Sequence, residues 1–193
     1  MTAAFVLASA SPRRLDLLGQ IGIVPDAVDP PGIDETALPR ELPAIHARRL
    51  ARAKVDVVRA RHPGAFVLAA DTVVACGRRI LPKADDEATA RQCLALLSGR
   101  RHRVYGAVAI AAPNGRVVER HVQTAVLFRR LTADDVERYV ASREWQGKAG
   151  GYAIQGRAVL FVRGIVGSYS NVVGLPLFEA AAALRAAGFP VDR

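Results

Sequence analysis

The chain has 193 residues, a formal net charge of +9, 51% hydrophobic residues and two cysteines. That length and apolar fraction point to one domain with a real core, spanning 1–193. They exclude a disordered chain, a solenoid of repeats, a disulfide scaffold and, for want of a long apolar run or a signal peptide, a membrane protein. A soluble cytoplasmic protein is expected. Cys76 and Cys93 lack metal-site spacing and read as inert buried thiols. The surplus of Arg and Lys favours anionic partners, either nucleic acid or phosphate-bearing small molecules. Pairs such as Arg48–Arg49, Arg78–Arg79 and Arg100–Arg101 are scattered along the chain, as solvated surface arginines are.

Phe5 to Ala8 reads as a short buried strand. Ser11-Pro12 follows as a helix start, with Ser as N-cap and Pro in the first turn, and the helix runs to Gly19. A second strand is expected over Val24–Val28, and a long helix over Leu42–Arg61, ended by His62-Pro63-Gly64. Phe66–Cys76 is an apolar run rich in Val and Ala, hence a central strand. Asp86–Ser98 is an amphipathic helix with Gly99 after its end. Arg103–Ala112 and Val117–Phe128 flank Asn114-Gly115, a hairpin signal. Thr132 caps a helix over Ala133–Ala141; Gly147–Gly156 is a glycine-rich loop; Ala158–Val162 is strand-like; and Leu175–Ala187 is a last helix, stopped by Gly188. Helices mixed with strands, one pair clearly antiparallel, predict an α/β fold on a mixed sheet.

Several residues break these patterns in ways that suggest chemistry. Ser11, Arg13 and Arg14 stand where a strand passes into a helix N-terminus, a place that attracts phosphate. The same residues read equally well as a capped helix with surface arginines. On the long helix, Leu42, Ala47, Leu50, Ala53, Val57 and Val58 cover one face, and Arg48, Arg49, Arg52, Asp56 and Arg59 the other. Lys54 falls within the apolar face, four residues from Leu50 and from Val58, so it must snorkel or meet an anion. His46 shares that face and reads as a satisfied core histidine. Asp71 interrupts an apolar strand, where a carboxylate is costly unless paired, hydrogen-bonded or metal-bound. Asp34-Glu35 in a loop and Lys83 beside Pro82 have ordinary surface readings. Together, Arg13, Arg14, Lys54 and Lys83 are candidate phosphate binders, and Glu35 and Asp71 candidate metal or water ligands.

Over nearly its whole length the chain resembles the Maf-like nucleotide pyrophosphatases. The matching segments are LASASPRR at 7–14, IDE at 33–35, LARAK at 50–54, AADTVV at 69–74, LPKADDEA at 81–88, LSGRRHRV at 97–104, KAGGYAIQG at 148–156 and NVVGLPL at 171–177. The resemblance implies two lobes around a cleft, in an architecture related to the inosine-triphosphate pyrophosphatases. It implies Asp71 as catalytic carboxylate, with Ser11, Arg14, Glu35, Lys54 and Lys83 lining the phosphate and metal site. Glu35 and Asp71 would hold a divalent cation, Mg, Mn or Co. Arg13, Thr72 and Gln155 are similar to the branch of the family acting on dTTP and UTP, which implies a preference for those substrates and a role in nucleotide-pool housecleaning, extending to modified pyrimidines. Ala84 stands where the family usually has Pro, and Gly106 where Thr is common.

Two other classes compete. One is a non-catalytic regulator of septum formation acting through a protein partner. The other is a nucleic-acid binder, against which stand few aromatics and no recognised motif, so that only weak, salt-sensitive and sequence-independent binding is expected. A homodimer is compatible with the sequence.

Overall fold

The computed structural model describes residues 3–191. Its centre is a seven-stranded mixed sheet. Strands β1 (Phe5–Ala8), β2 (Ala27–Val28), β3 (Phe66–Cys76), β6 (Arg101–Ala111), β7 (Val117–Phe128) and β9 (Val162–Val166) stand in the order β2-β1-β3-β6-β7-β9, with β4 (Arg79–Ile80) against β3. β1 runs parallel to β2 and β3; β3, β6, β7 and β9 are antiparallel in turn. A separate two-stranded sheet pairs β5 (Lys83–Ala84) with β8 (Lys148–Ala149). The helices are α1 (Pro12–Gln20), α2 (Pro43–Arg61), α3 (Glu87–Leu97), α4 (Ala133–Ala141), α5 (Tyr169–Val173) and α6 (Leu177–Ala187). This is the mixed α/β fold expected from the element pattern. Among the described residues no helix is long and apolar enough to cross a membrane.

Side-chain alternation along β3 divides the core. Phe66, Leu68 and Ala70 join the cluster containing Leu17 and Leu18 of α1 and Ala180, Ala183 and Leu184 of α6. Val67, Ala69 and Val73 join the one containing Ala47, Ala51, Val55 and Val58 of α2. By the same period of two, Asp71 faces α2 and Thr72 faces the α1/α6 side. A third cluster, with Val104, Val126 and Phe128 from the long hairpin packed on α3 and α4, forms the other lobe.

Local chemistry explains most elements. Thr132 and Asp135 form a reciprocal capping box on α4, and Asp86 accepts from the Thr89 amide to cap α3. The β6–β7 hairpin turns where expected, but through a type I turn with a bulge. The Gly115 amide donates to the Ala112 carbonyl, and Gly115, but not Asn114, has positive φ, at +83°.

Some expectations need correcting. The second strand shrinks to Ala27–Val28, because Val24 is exposed and nothing pairs it. Ala158–Val162 begins as a 3-10 turn, Arg157–Phe161, and the strand follows at Val162–Val166; a short apolar run carries no period to separate the two. α5 is an extra helical turn ahead of the last helix, which starts at Leu177. Leu42 is the exposed N-cap of α2 and not part of its apolar face, whose buried residues include Ala51 and Val55. Cys93 is buried, while Cys76 is partly exposed.

Candidate active site

The site opens where the sheet leaves a strand unpartnered. β1 pairs with β3 only as far as Ala8 opposite Ala69, and β4 rejoins β3 at Ala75. Between them Ala70–Val74 has a strand neighbour on the β6 side alone, and the chain leaving β1 turns away into Ser9–Ser11 and α1. A cavity of about 530 Å³ fills that gap, beyond the carboxyl end of a parallel strand, where α/β sheets place their ligands.

The sequence-predicted residues largely converge on it. Ser11, Arg13, Arg14, Glu35, Lys54, Asp71, Thr72 and Lys83 all line the cavity. Asp71 is 6% exposed and lies inside β3, not at its end, opposite Ala107 of β6. Its Oδ1 accepts from Lys54 Nζ at 2.7 Å, as the facing parity of β3 and α2 dictates. Lys54, 5% exposed, also meets Glu35 Oε1 at 2.5 Å, and Lys83 pairs with the other oxygen of Glu35. The result is an alternating string, Asp71–Lys54–Glu35–Lys83, spanning the cavity wall. Burial opposes ionisation of Glu35, but the hydrogen bonds and charges of Lys54 and Lys83 outweigh it and hold the carboxyl at about 2.

The Thr72 side of β3 carries a second group. Arg14 is buried; its Nε donates to the Gly174 carbonyl at 2.9 Å and one terminal nitrogen to Ser9 Oγ at 3.0 Å. The other terminal nitrogen reaches Thr72 Oγ1 at 3.5 Å, and Thr72 itself donates to the Gly174 carbonyl at 3.2 Å. Burial lowers the Arg14 pKa, with Asp71 opposing. Arg14 is therefore half committed to holding the walls together, and fewer of its five N–H donors remain for a ligand than a free guanidinium offers. Ser11 caps α1 by backbone position, yet its side chain makes no capping bond.

Gln155 departs from its expected place. It is exposed, makes no hydrogen bond to the protein, and is not on the cavity wall. Gly150 and Gly151 have positive φ, Tyr152, Ala153 and Ile154 after them are buried, and the chain re-emerges at the exposed Gln155. Gln146, Lys148 and the Gly174 carbonyl are wall groups that sequence reasoning missed. Lys148 opens the glycine-rich segment, whose spacing matches no phosphate loop, and a backbone carbonyl leaves no trace in residue identity. A second cavity, about 600 Å³, lies along α2 and shares Glu35, Asp71 and Lys83 with the first. His46 lines it, its Nδ1 against Glu41 at 2.8 Å, satisfied as expected.

Five cationic side chains and two carboxylates line the first cavity, a surplus that calls for an anion carrying several charges. Among the described residues no group of three His, Cys, Asp or Glu gathers to cage a metal. Glu35 and Asp71, as hard oxygen donors, are the residues that could hold a divalent cation of the magnesium type, which would keep water among its ligands.

A family model described as Maf-like protein matches residues 4–187. The dTTP/UTP pyrophosphatase of Paramagnetospirillum magneticum is 67% identical over 187 residues, covering 97% of this chain and 98% of that one. Those of Rhodospirillum rubrum and Caulobacter vibrioides are 62% and 59% identical, covering 97% and 96% of this chain and 90% and 96% of theirs. Among solved structures, a HAM1 protein from Coxiella burnetii is 17% identical with a TM-score of 0.46, covering 83% of this chain and 92% of that one.

Proposed function

The chain belongs to the Maf-like protein family, and on that footing we propose that it hydrolyses dTTP and UTP to the monophosphate and pyrophosphate. The observation that carries this reading is the string Asp71–Lys54–Glu35–Lys83 inside a cavity with surplus positive charge. A phosphoryl centre needs a base for water and cations for the charge that develops.

In the proposed reaction, Asp71 accepts a proton from water as the water oxygen bonds to the α-phosphorus. The bond from that phosphorus to the bridging oxygen breaks, and pyrophosphate departs with the electron pair. Lys54 and Lys83 donate to the phosphate oxygens whose charge grows, while Arg14, fixed by Ser9, Thr72 and Gly174, adds a buried positive charge. Glu35 stays ionised and keeps both lysines on the wall. Glu35 and Asp71 would hold a divalent cation, Mg, Mn or Co, which when bound neutralises phosphate charge and acts as a Lewis acid.

Base choice is assigned to Arg13, Thr72 and Gln155. Gln155 is exposed and offers a donor and an acceptor that no protein group uses. The test is a panel of dTTP, UTP, CTP and GTP with Mg, Mn and Co. Wild type should prefer dTTP and UTP, and Gln155→Ala should narrow that preference. A purine preference, or an equal loss on all four nucleotides, would overturn the assignment.

A further inference from the structure

Three members of the Asp71–Lys54–Glu35–Lys83 string stand on regular elements, and Glu35 does not. From Pro30 to Leu42 the chain belongs to no helix or strand, and Thr36 to Arg40 are exposed. Among the described residues, the one backbone–backbone hydrogen bond within 30–41 runs from the Glu41 amide to the Leu38 carbonyl, at 3.0 Å. Ordering such a segment costs conformational entropy, so groups outside it have to fix the Glu35 carboxylate between Lys54 and Lys83. At the upstream end Arg61 donates to the Pro30 and Pro31 carbonyls, both at 3.3 Å. The downstream end depends on Arg49.

Arg49 lies on α2, five residues before Lys54, and lines neither cavity. Its Nε donates to Glu41 Oε1 at 2.7 Å and its Nη2 to Glu41 Oε2 at 2.9 Å. The same Nη2 donates to the Thr36 carbonyl at 3.0 Å. Glu41 Oε2 also accepts from the Leu38 amide at 3.0 Å and lies 2.8 Å from His46 Nδ1. The Glu41 side chain is 4% exposed, so this is no rim pair of the kind that contributes little. Next to Glu35, the Thr36 amide donates to Asp34 Oδ1 at 2.9 Å, closing a turn around it. One guanidinium thus grips both ends of 36–41 beside that turn, a forked geometry that a lysine ammonium cannot copy. We propose that Arg49 is a positioning residue: through the Glu41 carboxylate and the Thr36 carbonyl it sets the place of Glu35, and so keeps Lys54 and Lys83 on the cavity wall. The inference rests on the hydrolase reading above and gives a part in it to an arginine outside the cavity.

The test is a double-substitution cycle in dTTP turnover, using Arg49→Met, Glu35→Gln and the two combined, beside amide hydrogen exchange. Arg49→Met should lower kcat about ten- to a hundredfold, the effect of a misplaced catalytic group. In the Glu35→Gln background the same substitution should change kcat by less than about threefold, because the two act through one carboxylate. A merely structural arginine would give losses that multiply. Arg49→Lys keeps a charge against Glu41 without the fork, and decides the case should Arg49→Met not fold. It should lower kcat about tenfold, with the same lack of additivity. In either folded variant the Leu38 and Glu41 amides should exchange at least about tenfold faster, while β3 and β6 keep wild-type protection. Multiplying losses, wild-type kcat in both variants, or unchanged exchange at Leu38 and Glu41 would each overturn the positioning role. Exchange is read without turnover, so a wild type that hydrolyses no nucleotide would defeat the hydrolase reading while exchange still decides whether Arg49 holds the segment.

Discussion

At the scale of single residues, Lys54 and Arg52 show how position on one helix separates function from surface. Both are basic and lie two positions apart on α2. Lys54 is buried between two carboxylates, whereas Arg52 is exposed and meets Asp56 and Glu119 at the rim. An exposed pair contributes about 0–1 kcal/mol, while removing one partner from a buried pair costs about 3–5 kcal/mol. Lys54→Ala should therefore lower both nucleotide turnover and stability, and Arg52→Ala should leave both close to wild type. Equal losses in kcat for the two variants would place the cleft on the wrong face of the helix. Both Lys54 and Asp71 were legible in sequence because a charge inside an apolar pattern has to be explained. Glu35 was legible more weakly, as one of two adjacent loop acids with an ordinary surface reading, since an acid in a loop carries no such contradiction. Lys148 was not singled out, because in a glycine-rich segment nothing fixes which way a side chain points.

At the scale of elements, long periodic segments were readable and short ones were not. β3, α2, α3 and the β6–β7 pair fall within a few residues of expectation, because ten or more residues display their period. The two-residue strands β4, β5 and β8 exist through tertiary pairing and have no period to show. Gly106 illustrates a different kind of hidden dependence. Its β3 partner is Thr72, and a Cβ built on it would lie 1.8 Å from Asn171 Oδ1 on α5. Asn171 is fully buried, its Nδ2 donating to the Val104 carbonyl and to Thr124 Oγ1. Gly106 thus leaves the space that the Asn171 carboxamide occupies. Gly106→Ala should cost about 1–3 kcal/mol by overpacking, read as a drop in the denaturation midpoint. An unchanged midpoint would mean that Asn171 can swing aside freely.

At the scale of the whole molecule, charge sets both the ligand and the response to acid. Much of the surplus arginine is ordinary surface: Arg48, Arg59, Arg61, Arg91 and Arg138 pair with acids at the rim. Two groups should shape stability as pH falls. His102 is buried against Tyr152, and burial lowers its pKa from 6.5 to about 4. The unfolded chain then takes up a proton that the folded one refuses, so stability should decline from about pH 6.5 toward 4. Glu35 is held at about 2 against an ordinary 4.5; its contribution is complete above 4.5 and lost as pH drops toward 2. Melting midpoints across pH should therefore flatten in the upper window for His102→Phe and in the lower window for Glu35→Gln. A His102→Phe profile parallel to wild type between pH 6.5 and 4 would remove the histidine from the account.

The central claim is that water activated at Asp71 attacks the α-phosphorus, and it can be read from where an isotope goes. Hydrolysis of dTTP in oxygen-18 water, with products resolved by phosphorus NMR, should put the heavy oxygen in the monophosphate and leave pyrophosphate unlabelled. Asp71→Asn, folded like wild type, should lower that turnover by about two to four orders of magnitude, the range of a lost general base. Label in the pyrophosphate, orthophosphate as the product, or an Asp71→Asn protein that turns over like wild type would contradict it.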